Sequence, residues 1–581
     1  MALALVWVGW PLTGAAQPPP PTPPPLPVPS AQPAPGLPTP QAEASASPSP
    51  SGAPSALPGA SAGPSPSESP SPAASGPPSP TPLPGVPIRV DRARIGVVLG
   101  GAATVGVSGG SGPLTAQASF AGVVVRYDAA TRTLFLSGRA AGRGTVTLSD
   151  ALGDVASIDV LVAPAAGVVP NAVTVELAGS VSPQFAVSQI QAAITRVAQM
   201  QPGTSIALGA VNAPALRPGE VLDAQANVVL NGNGSYVDVQ GTTNVHVSVD
   251  ALPQLDPTVL FYSDDPEQLG ALDDGVLFRG TIDAGRPARL YAYHVSTAGP
   301  ARRLYLALQT AAGTSRVQIL GALAGPSDAF SYVGHLSTLR YLLERAPQES
   351  YVVTVAPGVP FIVPIDPQAL LPAQLVAAIS DLRVLDGTPV DVAVVSASNG
   401  TDPATLLAQP EHPSDGHNRR GEFALTSVPP LALAFSVGGA EPTPFTVGVR
   451  FYANGQPVFP NLRPGGTALA GDYGVLRDVA LSLTNPTATA QNVYLYEQPG
   501  GGGATTTIWF AGDPAPTQVL CVSDASTRYL VKQFTLAPGE SRTVGGAYMT
   551  DGTSYFPLSF GLTATAPATA PPNGCGPKPA T

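Results

Sequence analysis

Short runs of alternating apolar and polar residues recur along most of the chain after residue 86, and they predict β-strands. Examples are RIGVVLG, TRTLFLSG and VASIDVLV, in which apolar side chains return at about every second position. Such a period places one set of side chains on a core face and the other set in solvent. Turn pairs such as Asp128-Ala129 and Gly153-Asp154 separate the runs. The pattern predicts a mainly β protein.

One segment breaks this pattern and predicts a helix. Over 185–200 (FAVSQIQAAITRVAQM), the apolar residues return with helical spacing and form a single stripe: Val187, Ile190, Ala193, Ile194 and Val197. Ser182 and Pro183 lie just upstream, in the order expected of a helix cap followed by a first-turn proline. Strands with Asn-Gly turns follow at 227–252. We therefore expect a small α+β module here.

The N-terminal part of the chain has a different composition. Residues 1–16 (MALALVWVGWPLTGAA) are apolar and end in small residues, as a secretory signal does, but they lack a basic start. We expect a signal peptide whose start is truncated, and an apolar N-terminus with no targeting role is the alternative. Between Pro18 and Pro84, 26 of the residues are proline, mixed mainly with Ala, Ser, Thr and Gly. Such a segment buries too little apolar surface to fold and favours extended polyproline II.

These patterns predict a multidomain protein with Ig-like and β-sandwich modules, one small α+β module and a disordered Pro-rich stalk. The expected segments are a signal peptide at 1–16, a disordered linker at 17–85, an Ig-like β module at 86–165, an α+β module at 170–251, β-sandwich-like modules at 256–400 and 418–568, and a disordered tail at 569–581.

Charge limits the partners of the protein. The formal net charge is −11, Lys532 and Lys578 are the two lysines, and no basic run occurs. Nucleic acid and anionic lipid both require Lys/Arg clusters, so we expect neither as a partner. No stretch after the N-terminal segment approaches the length of a membrane span, so we expect no stable span in the mature chain. Cell-wall glycan or other surface proteins stay open as partners.

The chain has two cysteines, Cys521 and Cys575. In an exported protein, two cysteines near one end are most simply explained by one disulfide, and we expect that pairing. A catalytic thiol is the alternative, but no histidine lies near either cysteine in sequence.

Two stretches resemble known families. The run GTVTLSD-x-x-GDVASIDVLV resembles the closing hairpin of bacterial Ig-like repeats and of the N-terminal domain of pilus-assembly secretins. Over about 256–568, the runs LFYSDDPEQLGALDDGVLFRGTIDAG, LAGPSDAFSYVGH, DGHNRRGEF, AGDYGVLRDVALSLTNPTA and DGTSYFPLSFGL occur in the order found in a group of secreted bacterial β-rich proteins. This second resemblance implies an exported β protein and carries over no catalytic residue.

Two motifs suggest chemistry of the catalytic or metal-binding kind. Gly106-Val107-Ser108-Gly109-Gly110 matches the nucleophile elbow, which requires a strand-to-helix turn, but the following residues show no helical stripe, so we interpret it as a glycine loop. The second motif is a loop that gathers imidazole and carboxylate groups, which are ligands for zinc. Its weak metal candidates are His412, Asp415 and His417. A polar loop between modules is the alternative.

Acidic and aromatic clusters are the remaining candidates. The run Asp264, Asp265, Glu267, Asp273 and Asp274 offers oxygen ligands of the kind that calcium takes, although its spacing fits no EF-hand loop, and a solvated turn is the alternative. A second set could form one aromatic and cationic face for sugar or peptide, or a packed sandwich face: Arg289, Tyr291, Tyr293, Arg302, Arg303 and Tyr305.

We expect a non-catalytic exported protein of the cell surface or envelope, with a structural, adhesive or scaffold role and no cofactor. An extracellular hydrolase of polysaccharide or peptide is one alternative, although no carboxylate pair for glycoside hydrolysis is identifiable in the sequence. A periplasmic component of pilus or secretion machinery is the other.

Overall fold

The computed structural model describes residues 85–270, 274–365, 368–451, 454 and 457–571. All of them lie in one compact unit. Strands dominate, which confirms the predicted mainly β, multidomain fold. The predicted signal peptide, the Pro-rich linker up to residue 84 and most of the predicted tail lie outside the described residues.

Residues 85–163, which cover the predicted Ig-like module, form a sandwich of two four-stranded sheets. Its strands are β1 (Arg89–Val90), β2 (Arg94–Val98), β3 (Ala102–Ser108), β4 (Thr115–Ala118), β5 (Val123–Asp128), β6 (Thr133–Gly138), β7 (Gly142–Ser149) and β8 (Val155–Ala163). The sheet orders are β1-β3-β6-β5 and β2-β8-β7-β4. Alternating residues such as Leu134, Leu136, Val146 and Leu148 are fully buried between the sheets, as period-two alternation predicts.

The next segment combines strands with the predicted helix. It contains β9 (Gly167–Val168), β10 (Ala172–Ala178), α1 (Pro183–Val197), β11 (Gln199–Met200), β12 (Ser205–Leu208), β13 (Val221–Asn231) and β14 (Val239–Asp250). The hydroxyl of Ser182 accepts a hydrogen bond from the amide of Phe185, and Pro183 occupies the first turn, which confirms the predicted cap. The helix ends at Val197, which is exposed, so the buried stripe is shorter than the sequence predicts.

Residues 256–424 hold a second sandwich. Its elements are β15 (Val259–Ser263), β16 (Gln268–Leu269), β17 (Gly275–Ile282), β18 (Ala288–Ser296), β19 (Arg302–Gln309), β20 (Ser315–Ser327), α2 (Phe330–Arg345), β21 (Ser350–Val355), β22 (Phe361–Pro364), β23 (Leu375–Asp386), β24 (Val390–Ser398), α3 (Pro403–Leu406) and β25 (Arg420–Ala424). Its smaller sheet has the order β17-β24-β19-β22 and packs against the larger one over an aliphatic core.

The larger sheet has eleven strands and continues beyond this sandwich. Its order is β12-β13-β14-β10-β21-β20-β23-β18-β15-β25, with β16 paired to β18. The join is antiparallel, with Leu177 opposite Tyr351 and Ala178 opposite Ser350. The sheet therefore crosses the predicted boundary at 251–256, and β25 extends it past residue 418. The domain limits stay predictions, but shared hydrogen bonds connect the segments on either side of both.

The last sandwich follows α3 and β25. Its strands are β26 (Leu431–Ser436), β27 (Phe445–Val447), β28 (Leu476–Thr484), β29 (Gln491–Pro499), β30 (Ala504–Phe510), β31 (Thr517–Val522), β32 (Tyr529–Leu536), β33 (Ser541–Thr550) and β34 (Leu558–Thr563). The two sheets have the orders β26-β28-β33-β30-β31 and β27-β34-β29-β32. Fully buried Leu481, Leu495 and Phe560 contribute to the core between them.

Helix α2 lies on the face of the eleven-stranded sheet that turns away from the aliphatic core, and it also contacts the last sandwich. The sequence analysis did not predict this helix. Its buried side includes His335, Ser337 and Thr338 beside Tyr341 and Leu342. Because polar residues occupy the buried face, the helix shows no continuous apolar stripe. The helical spacing of apolar residues, which predicts a helix from sequence, is therefore weak in this segment.

The close contact of α2 with the last sandwich can be tested by the sign of the change in stability that Gly334→Ala causes. A Cβ at Gly334 would overlap the backbone oxygen of Gly552. Helix propensity alone predicts that Gly334→Ala stabilises the protein by about 1 kcal/mol. We expect instead a destabilisation of about 2 kcal/mol, because overlap with backbone forces the two elements apart.

Urea unfolding of the wild type and the variant measures this difference. Gly503→Ala is the matched control, since a Cβ there meets nothing within 4 Å, and it should leave the unfolding free energy nearly unchanged. A gain in stability for Gly334→Ala would contradict the packing described here.

Candidate functional site

The acidic residue of the histidine loop holds a turn in place. The Asp415 carboxylate accepts hydrogen bonds from the backbone amides of Glu267, His417 and Asn418 at 3.2, 2.8 and 2.8 Å, and from the Asn418 side chain at 2.8 Å. Partial burial acts to raise the pKa of Asp415, but these hydrogen bonds outweigh it and hold the pKa at about 2. The carboxylate therefore orders the loop by four donors of its own chain.

The other metal candidates do not join Asp415 in one ligand set. His417 is exposed, whereas His412 packs against Gly275, where an added Cβ would lie 2.7 Å from the imidazole Nε2. Asp274 accepts hydrogen bonds from the amide and hydroxyl of Ser398 at 2.8 and 2.6 Å. Among the described residues, no group of three or more His, Cys, Asp or Glu side chains is arranged to hold a metal ion. Asp273 lies outside them.

The remaining acidic residues of the calcium hypothesis are held near the same loop. Asp265 is buried and accepts a hydrogen bond from the amide of Asp415 at 2.7 Å. Burial raises the pKa of Asp264 well above its ordinary value, and the charges of Glu267 and Asp415 raise it further. These groups lie near one another, while Asp274 is hydrogen-bonded to Ser398 at the end of β24. The run is thus divided between two places in the fold.

The predicted disulfide is open to experiment. Cys521 lies in β31, and Cys575 lies outside the described residues. The pairing of the two cysteines stays a prediction.

The serine of the glycine-rich motif is not placed on a nucleophile elbow. Ser108 ends β3, and Gly109 and Gly110 follow with φ of +71° and +79°. The chain then enters β4, so the turn joins two strands and lacks the helix that an elbow requires.

The aromatic and cationic residues of β18 and β19 are mostly buried, which corrects the idea of an exposed binding face. Tyr291 and Tyr293 are 1% and 8% exposed, and Arg289 and Arg302 are 2% and 0% exposed. The ring of Tyr291 stacks with Tyr262, Tyr293 and Tyr473 at centroid distances of 5.1, 6.3 and 6.2 Å. Since Tyr473 belongs to the segment before β28, this stack is packing between the two sandwiches.

A buried ion pair lies at the same junction. The Arg289 guanidinium donates to both carboxylate oxygens of Asp381 at 2.7 and 3.2 Å and to the Tyr341 hydroxyl at 2.6 Å. Tyr341 in turn donates to Asp381 at 2.7 Å, and Arg289 also donates to the carbonyl of Gly474 at 3.1 Å. Burial acts to lower the pKa of Arg289, but Asp381 and Tyr341 outweigh it and raise the pKa. The pair connects β18, β23, α2 and the segment before β28.

A second polar contact fastens α2 to the last sandwich. The Nδ1 atom of His335 lies 2.7 Å from the Asp551 carboxylate and 3.2 Å from the Thr507 hydroxyl, and its Nε2 lies 2.8 Å from the Gln518 side-chain oxygen. His335, Thr507 and Asp551 are at most 3% exposed. The two sandwiches therefore share a buried polar network as well as the tyrosine stack.

Neither hydroxyl–imidazole pair of the described residues is arranged for nucleophilic catalysis. A Ser-His-Asp type triad needs the nucleophile and the carboxylate on opposite ring nitrogens, but Thr507 and Asp551 both contact Nδ1 of His335. Ser263 lies 3.0 Å from Nε2 of His294, and both residues are fully buried. Burial lowers the pKa of His294 to about 4. Substrate has no access to either pair.

A buried carboxyl group in the last sandwich is not predicted by the sequence pattern. Glu497 lies in β29 opposite Tyr529 and Phe560, and none of its surface is exposed. Burial raises its pKa to about 8. A glutamate in an alternating strand of otherwise ordinary polarity gives no sign of this burial, because the sequence does not show that both faces of the strand are covered.

No family model matches the chain, and no curated protein matches it. Solved structures that share local similarity include the N-terminal Ig1-2 module of the Drosophila receptor protein tyrosine phosphatase DLAR, with 15% identity, a TM-score of 0.13 and coverage of 28% of this chain and 100% of that one. The fibronectin(III)-like modules of Clostridium thermocellum CbhA give 12% identity and a TM-score of 0.16, covering 28% and 94%.

A tri-modular endo-β-1,4-glucanase from Bacillus licheniformis gives 10% identity and a TM-score of 0.14, and the similarity covers 28% of this chain and 38% of the glucanase. TM-scores of this size describe a shared local arrangement of strands and no common overall structure. These similarities therefore carry no argument about function.

The buried ion pair gives a stability prediction. Arg289→Met leaves the Asp381 carboxylate buried without its cation, and we expect a loss of about 3–5 kcal/mol in the free energy of unfolding. Urea unfolding measures it. Arg528→Gln is the control, because the Arg528–Glu441 pair is solvent-exposed and should contribute less than about 1 kcal/mol. The double variant Arg289→Met/Asp381→Leu should recover part of the loss. Equal effects of the two single arginine substitutions would contradict the role given to Arg289.

The buried glutamate gives a pH prediction. Because the folded-state pKa of Glu497 is about 8 against an ordinary value of 4.5, the folded protein binds a proton that the unfolded chain has released. The contribution of Glu497 to stability therefore decreases as pH rises from about 4.5 to about 8.

We expect Glu497→Gln to flatten this part of the profile of melting temperature against pH and to raise the melting temperature at pH 8. Glu220→Gln, at an exposed position, should leave the profile unchanged. A profile that keeps its slope in Glu497→Gln would show that the burial of this carboxyl group is not its cause.

Proposed function

We propose that this protein is a non-catalytic, exported component of the cell surface or envelope with a structural, adhesive or scaffold role. The observation that carries the proposal is the way successive β modules are joined. One sheet runs from the α+β segment through the second sandwich, and the Arg289–Asp381 pair and the His335–Asp551 contact connect that sandwich to the last one.

Joints of this kind suit a framework better than a set of hinged domains. Domains that move relative to one another are usually connected by exposed linkers with modest polar interfaces. Here the joints are backbone ladders and buried charges that lose much free energy when either partner is removed. A protein that holds other molecules at a fixed spacing benefits from joints that resist bending.

The buried position of the hydroxyl–imidazole pairs supports a non-catalytic role over a hydrolase. A hydrolase of polysaccharide or peptide needs its acid, base or nucleophile in a cleft that substrate can enter. In the part of the chain that the structure describes, Ser263, His294, Thr507 and His335 are all covered by protein.

The partners that we propose are cell-wall glycan or other surface proteins. The acidic net charge disfavours nucleic acid and anionic lipid. Across the described ranges, the longest helices do not meet the length and hydropathy that a membrane crossing requires. The export that we propose rests on the signal-like and Pro-rich sequence before residue 85. It also rests on the resemblance of residues 256–568 to a group of secreted bacterial β-rich proteins.

One experiment tests both the cellular location of the protein and the joining of its modules. A site for a specific protease is inserted between Ala251 and Leu252, and the protease is added to intact producing cells. We expect the chain to be cut, because it is outside the cell. We also expect the two fragments to stay together until denaturant is added, because β10 of the first fragment remains paired with β21 of the second within the eleven-stranded sheet.

The fragments are followed by immunoblot after native and denaturing separation. The protein without the inserted protease site is the control and should remain intact under the same treatment. Cutting only after the envelope is permeabilised would place the protein inside the envelope, and cutting only after complete lysis would contradict export. Fragments that separate under native conditions would contradict the joined framework.

A further inference from the structure

A cleft of about 670 Å³ lies between helix α1 and the edge of the second sandwich. Its walls come from α1, from β19 and β22 of the smaller sheet, and from β20, β21 and β23 of the larger one. Clefts of 300–1,000 Å³ at the meeting of two structural units are typical small-molecule sites. The cleft is separate from the buried network described above.

The inner wall of the cleft is apolar. Leu306 and Ile319 are 1% and 2% exposed and belong to the aliphatic core of the sandwich, so the cleft reaches the edge of that core. Ile362 and Val363 in the edge strand β22 are only half-buried. An aliphatic chain placed here would cover apolar surface that is now open to solvent, at a gain of about 25 cal/mol for each Å² removed from water.

Two arginines border this apolar wall. Arg196 comes from the last turn of α1, and Arg303 comes from β19. The Arg196 guanidinium lies 4.5 Å from the centre of the Phe361 ring, and burial lowers its pKa. Among the described residues, neither guanidinium is hydrogen-bonded or ion-paired.

This pair of cations lies in a protein with an excess of acidic residues. The chain carries 38 acidic residues against 27 basic ones, and other arginines such as Arg289, Arg316 and Arg463 contact carboxylates. A guanidinium without an acceptor favours the approach of an anion, and its planar donors match a carboxylate in a bidentate way.

We propose that the cleft binds a small amphipathic carboxylate, with its aliphatic part against Leu306, Ile319 and Ile362 and its carboxylate between Arg196 and Arg303. The two positive charges disfavour a cationic ligand. Sugars commonly stack on aromatic rings, but Tyr351 is the one aromatic residue among the described residues of the lining. The apolar wall and the cationic border together fit a molecule that has one apolar end and one anionic end.

Isothermal titration calorimetry with decanoate tests the proposal, with 1-decanol as the uncharged comparison of equal chain length. We expect decanoate to bind the full-length protein with one site and to bind more tightly than 1-decanol. Arg196→Gln and Arg303→Gln should each weaken decanoate binding about tenfold, since a charge-assisted hydrogen bond contributes about that factor, and neither should weaken 1-decanol binding comparably.

Further variants test whether binding occurs in this cleft, and two of them, Arg139→Gln and Gln184→Phe, are matched controls. Arg139→Gln removes an exposed arginine of the Ig-like module and should leave decanoate affinity unchanged. Ala192→Phe places a ring in the cleft from an exposed position of α1 and should abolish binding, whereas Gln184→Phe, on the same helix but outside the cleft lining, should not. Unchanged melting temperatures confirm that the variants are folded.

Any one of the following results overturns the proposal: no heat of binding with wild-type protein, equal affinity for decanoate and 1-decanol, or decanoate binding that survives Ala192→Phe. Loss of affinity in Arg139→Gln equal to that in Arg196→Gln would also overturn it, because the attraction would then be a general effect of net charge. None of these results bears on the proposed framework role, which rests on other residues.

Discussion

The Arg289–Asp381 ion pair is the constraint on which the joining of the modules depends. It lies on two interior strands of the eleven-stranded sheet, it is almost fully excluded from solvent, and it reaches both α2 and the segment that leads into the last sandwich. Removing two charges from water costs several kcal/mol for each ion, and close geometry with further hydrogen bonds offsets that cost. The hydroxyl of Tyr341 and the carbonyl of Gly474 supply those further bonds. The pair therefore favours the joined sandwiches, because separation would remove the Gly474 carbonyl from Arg289 and expose the pair to water.

The need to cover both faces of a wide sheet explains why a mainly β protein contains helix α2. A wide sheet whose central strands are buried on both faces needs a cover on each side. The smaller sheet covers one face, and α2 with the edge of the last sandwich covers the other. The polar residues on the buried side of α2 are used in hydrogen bonds, such as that between His335 and Asp551, so the helix serves as a connector as well as a cover.

Local sequence signals predicted a good part of this fold, and long-range contacts explain the rest. The alternating strands of the Ig-like module, the Ser182 cap of α1 and the hairpin of β13 and β14 depend on neighbouring residues, so they were readable from the sequence. The pairing of β10 with β21 joins residues that are far apart in the chain, and no local pattern records it. The same limit applies to function: Tyr291 and Tyr293 have the spacing of a binding face, but the last sandwich covers them. Arg196 and Arg303 come together at the cleft only through the fold.

Differential scanning calorimetry is the measurement that tests most directly whether residues 165–571 act as one joined body. We predict that these residues unfold in a single cooperative transition, with equal calorimetric and van't Hoff enthalpies, while the Ig-like module is free to melt separately. Separate transitions for the second and last sandwiches in the wild-type protein would contradict the account, because the buried pair would then not couple them.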